Sequence, residues 1–555
     1  MSGGNEGGPG CTSVSLRRAL SLTPVSLWLS LFMSAMDTTI ITTALVKVSS
    51  SFNALDQSAW LVTSYLLTYN AFLMITAKFS DVWGVRSVMI GSSVFFLIFS
   101  MAAGGAKTMS QLIIFRALQG LGGSGMYSLT FVTLMKMITP EKLGFYSGVI
   151  SSVFALANLL GPVLGGVITD NTSWRWIFWI NGPIVGTGIA VLFFSMPGLV
   201  ADRTHRERLR GFDIIGGVLS VLWPIPLIFA LQEGGVRHAW SSGPIVGTLV
   251  AGVILLLAFG LYEGWLTSRT KMDAIFPIRF IKNPRMSLLL LGMFLLGFPF
   301  YVTFIQLPQR FQAVNNKSAE RSGILLLPLS LLTPVGAMLA GTLIGKWIAA
   351  EFVLMIATAI ITISFGLLSS LPTSTTLPVA AYGYEILAGF SLGFATAPYY
   401  FLLATSIDEK DIPVGTGAMN MLRTLGGAVA VAICSALHHS TLRKRLPEFL
   451  SSTQVSDMEE SIAALTRLSP SVREKVGVVF GESYNRQFQV MLAFTGLNLL
   501  VVIVLGIVEP DESVESGILK AGIQPNEVER VKKANTNSAE KDVISSTPAD
   551  DAKLP

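Results

Sequence analysis

Charge is what this chain lacks. Only 13% of its 555 residues are Asp, Glu, Lys or Arg, where a soluble domain carries about a quarter. Half of the chain (51%) is hydrophobic, too much to face one water-bathed core, so lipid is its main solvent. Cysteine is nearly absent too. Cys11 sits in a polar tail and Cys434 in an apolar stretch, which excludes a disulfide framework. There is no Gly-x-x-x-x-Gly-Lys-Ser/Thr loop, no His/Cys ligand cluster and no Ser/His/Asp set. An ATP-driven pump or a membrane enzyme therefore has no visible engine, and neither a cofactor nor a metal is expected. No small-residue cleavage pattern follows a short apolar core, so no cleaved signal peptide is expected. The net charge is +5, but the basic residues lie in loops between apolar stretches. They form no stripe with interleaved aromatics, which argues for anionic lipid and against nucleic acid as their partner.

What is present is a succession of apolar stretches. A helix needs about 20 apolar residues to cross the hydrocarbon core. Such stretches are predicted at 25–46, 59–79, 87–106, 111–135, 144–168, 174–196, 212–232, 244–264, 286–308, 322–345, 351–371, 378–404, 415–437 and 487–508. Fourteen spans put both termini on one side. Lys78, Arg86, Lys136, Lys142, the Arg203–Arg210 cluster and the Arg269–Arg285 cluster assign that side to the cytoplasm. The predicted organisation is a cytoplasmic tail (1–24), a six-helix bundle (25–196), a linker with two extra transmembrane helices (197–285), a second six-helix bundle (286–508) with a long external loop (438–486), and a polar, disordered cytoplasmic tail (509–555). The fold class is thus all-α and polytopic.

Glycine and ionisable residues recur within the spans. Arg116-Ala-Leu-Gln-Gly120 in span 4 matches Glu385-Ile-Leu-Ala-Gly389 in span 12, and Gly165-Gly166 in span 5 loosely matches Gly426-Gly427 in span 13. Repeated halves facing each other across a midplane site are a common plan for secondary transporters. Arg116 lies well inside an apolar helix, where insertion of an Arg costs roughly 2.5–3.5 kcal/mol. It must face a cavity or a partner, and Gln119 shares its helix face. Asp37 is a carboxylate deep in span 1, able to carry a proton or to pair with hydroxyls such as Thr39. Glu385 and Arg423 are the remaining charges well inside spans, free to pair or to line a cavity. Glu263 and Glu351, near span ends, are expected to be solvated. Trp174, Trp176 and Trp179 at the start of span 6 suit an interface belt. Two glycosylation sequons stand at Asn171 and Asn316.

Four elements carry a resemblance. The 77–86 loop, Ala-Lys-Phe-Ser-Asp81-Val-Trp-Gly84-Val-Arg86, is similar to the cytoplasmic signature Gly-x-x-x-Asp-Arg-x-Gly-Arg-Lys of the major facilitator superfamily. Asp81, Gly84 and Arg86 match, while Ala77, Val82 and Val85 depart. Arg116-x-x-Gln119-Gly120 resembles the Arg-x-x-Gln-Gly element, linked in the family to proton coupling. Gly161-Pro162-x-x-Gly165-Gly166 resembles the antiporter signature Gly-x-x-x-Gly-Pro-x-x-Gly-Gly, with Ala157 for the first glycine. Asp37-Thr-Thr39 resembles the span 1 element of the fourteen-span drug:proton antiporter branch. The resemblance implies the major facilitator fold, two six-helix bundles with two extra central helices, in a monomer driven by the proton gradient. It implies that Asp37, Arg116, Gln119 and Glu385 line the substrate and proton cavity. It also implies that the 77–86 loop latches the halves, and that a drug, toxin or secondary metabolite leaves the cell across the plasma membrane. A proton-coupled carrier of a siderophore or basic amino acid, at the plasma membrane or the vacuole, is the alternative within transport. A transport-inactive receptor or scaffold is the alternative outside it.

Overall fold

The structure is a computed structural model that describes residues 10–137, 143–196, 213–235, 238–269, 275–276, 278–344, 348–407, 411–451, 454–455 and 469–508. The predicted loop at 197–211 and tail at 509–555 lie outside the described residues. Lipid offers the backbone no hydrogen-bond partner, so each apolar run closes its own bonds as a helix. Among the described residues there is no β-strand, only two isolated bridges. The long helices, in chain order, are α1 (Gly10–Ser51), α2 (Ser58–Trp83), α3 (Val85–Gly104), α4 (Met109–Met137) and α5 (Leu143–Asn171). Then follow α6 (Trp176–Ser195), α7 (Ile214–Glu233), α8 (Gly243–Arg269), α9 (Pro284–Ala313) and α10 (Ala319–Leu343). The last four are α11 (Ala350–Ser369), α12 (Ala380–Ala404), α13 (Ile412–Arg445) and α14 (Pro470–Ile507). Among the described residues, eleven helices are long and apolar enough to cross a membrane. The chain is an all-α, multi-pass membrane protein.

Some helices run past the predicted spans. Helix α1 starts at Gly10, while its apolar span begins at Val25, as predicted; α13 continues to Arg445 and α14 starts at Pro470, both within the predicted 438–486 loop. Helical hydrogen bonding does not stop at the edge of the hydrocarbon. Exposed Arg443 and Lys444 belong to the continuing helix, where an apolar-run criterion no longer sees it.

Helix packing repeats with an offset of eight. α1 packs on α4, α5 and α6; α9 packs on α12, α13 and α14. α2 packs on α4 as α10 does on α12, and α3 packs on α4 and α6 as α11 does on α12 and α14. The repeat holds residue by residue. A Cβ at Gly120 would lie 2.4 Å from the Tyr65 carbonyl oxygen of α2, and one at Gly389 would lie 2.1 Å from the Leu329 carbonyl oxygen of α10. Likewise, a Cβ at Gly165 or at Gly426 would lie 2.0 Å from the carbonyl oxygen of Ile40 or of Phe294, respectively. Only glycine lets the backbones come so close. The two halves meet along α5 with α10 and α2 with α13, again a pair related by the offset.

Helices α7 and α8 form the inserted hairpin. α7 touches both α2 and α13, bonding to α2 through Gln232–Thr63 (2.6 Å) and Glu233–Trp60 (2.8 Å). α8 lies outside it, with Val250, Ile254, Leu257, Leu261 and Trp265 exposed, an apolar surface that belongs in lipid. Where α8 ends, Glu263 is buried, which overturns its expected solvation. The first turn of α7 covers it. Asp213 caps that turn through the Gly216 amide (2.8 Å) and accepts from the Tyr262 hydroxyl (2.8 Å), while buried Ile275 packs near Gly217.

Candidate functional site

The N-terminal half holds one closed polar network. Arg116 of α4 donates from Nη1 to Oδ2 of Asp37 on α1 (2.5 Å) and to Oε1 of Gln119 (2.8 Å). Gln119 donates in turn from Nε2 to Oδ1 of Asp37 (2.9 Å). Asn181 of α6 donates to the same oxygen (3.3 Å) and to Ser100 of α3 (2.8 Å). The guanidinium also donates to the Leu61 carbonyl (3.2 Å) and lies over the Tyr65 ring, 4.3 Å from its centre. Asp37, Arg116, Gln119 and Asn181 are each at most 1% exposed. The charges cancel, and each carboxylate oxygen has a donor, which is the condition for a stable ion pair out of water. Thr39 is not a partner of Asp37; its hydroxyl bonds back to Met36 and across to Ala157 of α5.

Glu385 stands apart from this cluster. It is buried on α12, and neither carboxylate oxygen has a hydrogen-bond partner among the described residues. It does not pair with Arg423, whose guanidinium lies over Phe300 and reaches Asn420. The structure therefore brings Asp37, Arg116 and Gln119 together and leaves Glu385 alone at the matching register of the other half. Sequence reasoning missed Asn181. It follows a tryptophan cluster that reads as an interface belt, and an amide just inside that belt was the available signal.

The Gly161–Gly166 segment lies on a three-way seam. A Cβ at Gly161 would meet Thr39 Oγ1 at 2.0 Å, whereas one at Gly166 would meet the Ala319 carbonyl oxygen of α10 at 2.5 Å. One helix face thus seats α1 and the next seats the other half. The Pro162 carbonyl accepts from Thr43 of α1 (3.0 Å), and a Cβ at Gly323 of α10 would lie 2.4 Å from it. Gln312 of α9 donates to the Thr43 carbonyl (3.1 Å), Glu320 N donates to Asp170 (2.7 Å), and Lys47 pairs with Asp170 (3.6 Å). The halves are therefore laced together at the end where α5 finishes and α10 begins.

In the α2–α3 loop, Gly84 has φ +83°, a conformation that favours glycine. Arg86 donates to the Phe193 carbonyl (2.6 Å) and lies over the Phe193 ring, a contact within its own half. The Asp81 side chain lies outside the described residues. Asn171 and Asn316 are exposed at helix ends. Glu351 is ion-paired with Arg285, not solvated alone.

Comparison with known proteins agrees with this architecture. The model of the Major Facilitator Superfamily matches residues 27–431. The MFS-type transporter FPY5 of Fusarium mangiferae is 38% identical over 491 residues, covering 86% of this chain and 82% of that one. The MFS-type efflux pump LUC4 of a Fusarium species is 30% identical, covering 86% of each. Among solved structures, a bacterial homolog of the human lysosomal transporter Spinster, inward-facing and occupied, superposes with a TM-score of 0.59 at 14% identity. That match covers 88% of this chain and 97% of that one, a likeness of fold alone. The chain belongs to the Major Facilitator Superfamily, and it is a membrane transporter.

Proposed function

We propose that this transporter is a fourteen-span, proton-coupled exporter of hydrophobic or amphipathic small molecules, a drug, toxin or secondary metabolite, at the plasma membrane. Relatives named as efflux pumps support the direction. The observation that carries the coupling is the Asp37–Arg116–Gln119–Asn181 network. Protonation of Asp37 would remove the charge that holds Arg116 and leave a buried cation without its counter-ion, a state the low-dielectric interior penalises by several kcal/mol. α1, α4 and α6 would then repack. α1 is also the helix seated on Gly161 and Gly165 and bonded to Gln312 of the other half. A proton event at Asp37 is thereby tied to the seam that alternating access must open and close. The proton gradient supplies the energy, and no cofactor is required.

The test is a substrate panel in cells stripped of their own pumps, followed by reconstitution with an imposed pH gradient. Efflux that collapses when the gradient is dissipated is expected. Gradient-independent movement, or uptake instead of efflux, would refute the reading.

A further inference from the structure

Arg423, a half-buried cation, differs from Arg116 in having no carboxylate partner among the described residues. Arg423 of α13 stands at the boundary of the halves. Beside it, Asn420 accepts from the hydroxyls of Tyr127 on α4 (2.8 Å) and Tyr400 on α12 (2.7 Å). The first of these bonds crosses between the halves. Both lone pairs of the Asn420 oxygen are thus engaged, and the Arg423 contact to it is correspondingly long, 3.4 Å. The guanidinium offers five N–H donors. Its Nε has no partner, and Arg423 forms no ion pair among the described residues. Tyr301 and Phe300 of α9 complete the surroundings, with the Phe300 ring 5.0 Å below the cation. Arg423, Phe300, Tyr301 and Tyr400 all remain partly exposed although they lie in the interior of the helix assembly. That partial exposure leaves the four side chains accessible to a small molecule.

Such a site has donors to spare, one net positive charge and aromatic walls. It is matched by a planar oxyanion on an unsaturated or aromatic body. A cationic amphiphile would meet an uncompensated like charge there, which low-dielectric surroundings do not screen. Resting on the exporter reading, we propose that the preferred cargo is an organic acid, bound with its carboxylate on the Arg423 guanidinium and its apolar body against Phe300, Tyr301 and Tyr400. Arg423 supplies the bidentate geometry that a lysine could not.

The experiment compares three probes with one fluorophore: pyrenebutyric acid, its methyl ester and a pyrene-bearing quaternary ammonium. The full-length protein is reconstituted in vesicles with a proton gradient, and binding is titrated separately by fluorescence in detergent. The acid should be bound and moved about tenfold better than the ester, with the ammonium weakest. Arg423→Gln should lower the acid-to-ester ratio about tenfold, and Arg423→Lys should fall between. If Arg423→Gln fails to fold, Asn420→Asp, which sets a carboxylate beside the cation at nearly equal volume, should erase the same preference. Equal handling of acid and ester by the wild type, or an unchanged ratio in the variants, would overturn the proposal. Binding of the acid with no transport of any probe would uphold the site and refute the exporter reading instead.

Discussion

The two halves of the molecule share one packing plan and differ in how the charges at matching positions inside their spans are met. In the first, the ionisable residue four positions before the α4 glycine is Arg116, neutralised by Asp37 of α1, whose other oxygen accepts from Gln119 and Asn181. In the second, among the described residues, the matching residue Glu385 is buried with no partner and the cation Arg423 has no carboxylate. Backbone contacts at Gly120 and Gly389 show that the registers correspond. The difference therefore lies in the side chains and not in the frame. A closed ion pair is a latch with two states, paired and unpaired, whereas a lone buried acid or cation awaits something from outside the chain, a proton or a ligand. Under the proposed function, the first half switches and the second receives.

The largest effect on this contrast should come from removing one member of the pair. Arg116→Met leaves Asp37 buried without a counter-ion, a loss of about 3–5 kcal/mol, so membrane abundance should fall sharply in a fluorescence-detected gel filtration assay. The double variant Asp37→Leu/Arg116→Met should regain abundance without regaining efflux. If the single variant is as abundant as wild type, the network is not a tight pair. Next comes the seam. Gly165→Leu should abolish efflux with some protein still in the membrane, because even a Cβ would strike the Ile40 carbonyl at 2.0 Å; normal efflux would remove Gly161–Gly166 from the gating account. Smaller still is Glu385→Gln. It breaks no hydrogen bond, so abundance should stay within about twofold, while a receiving carboxylate predicts a flatter pH profile of efflux. A large loss of abundance would show that Glu385 is a structural partner. The smallest effect is expected at the loop. Gly84→Ala, at φ +83° and ψ +141°, should cost about 1–3 kcal/mol and lower the thermal midpoint while efflux persists.

Much of this was legible from residue order. The spans were, because lipid demands about 20 apolar residues per crossing. The proximity of Arg116 and Gln119 was, because three residues apart share a helix face. The gathering of Glu385 with them was not, and the repeat explains why. Two residues at equivalent positions of duplicated halves belong to different bundles, so their likeness in sequence implies separation in space. Glu263 was misjudged because its distance from a span end says nothing of what the α7 cap and Ile275 cover. Asn181 was hidden by its tryptophan neighbours, since an amide's role depends on which oxygens the two other helices, α1 and α3, bring to it.

In the proposed transport cycle, protonation of Asp37 drives the seam. The most direct measurement is proton movement in vesicles holding a pH-sensitive dye, with substrate added to wild type and to Asp37→Asn at matched reconstitution. The account predicts a substrate-dependent proton flux in the wild type that is absent in Asp37→Asn, even where the variant still binds substrate. Wild-type proton flux in Asp37→Asn would contradict it.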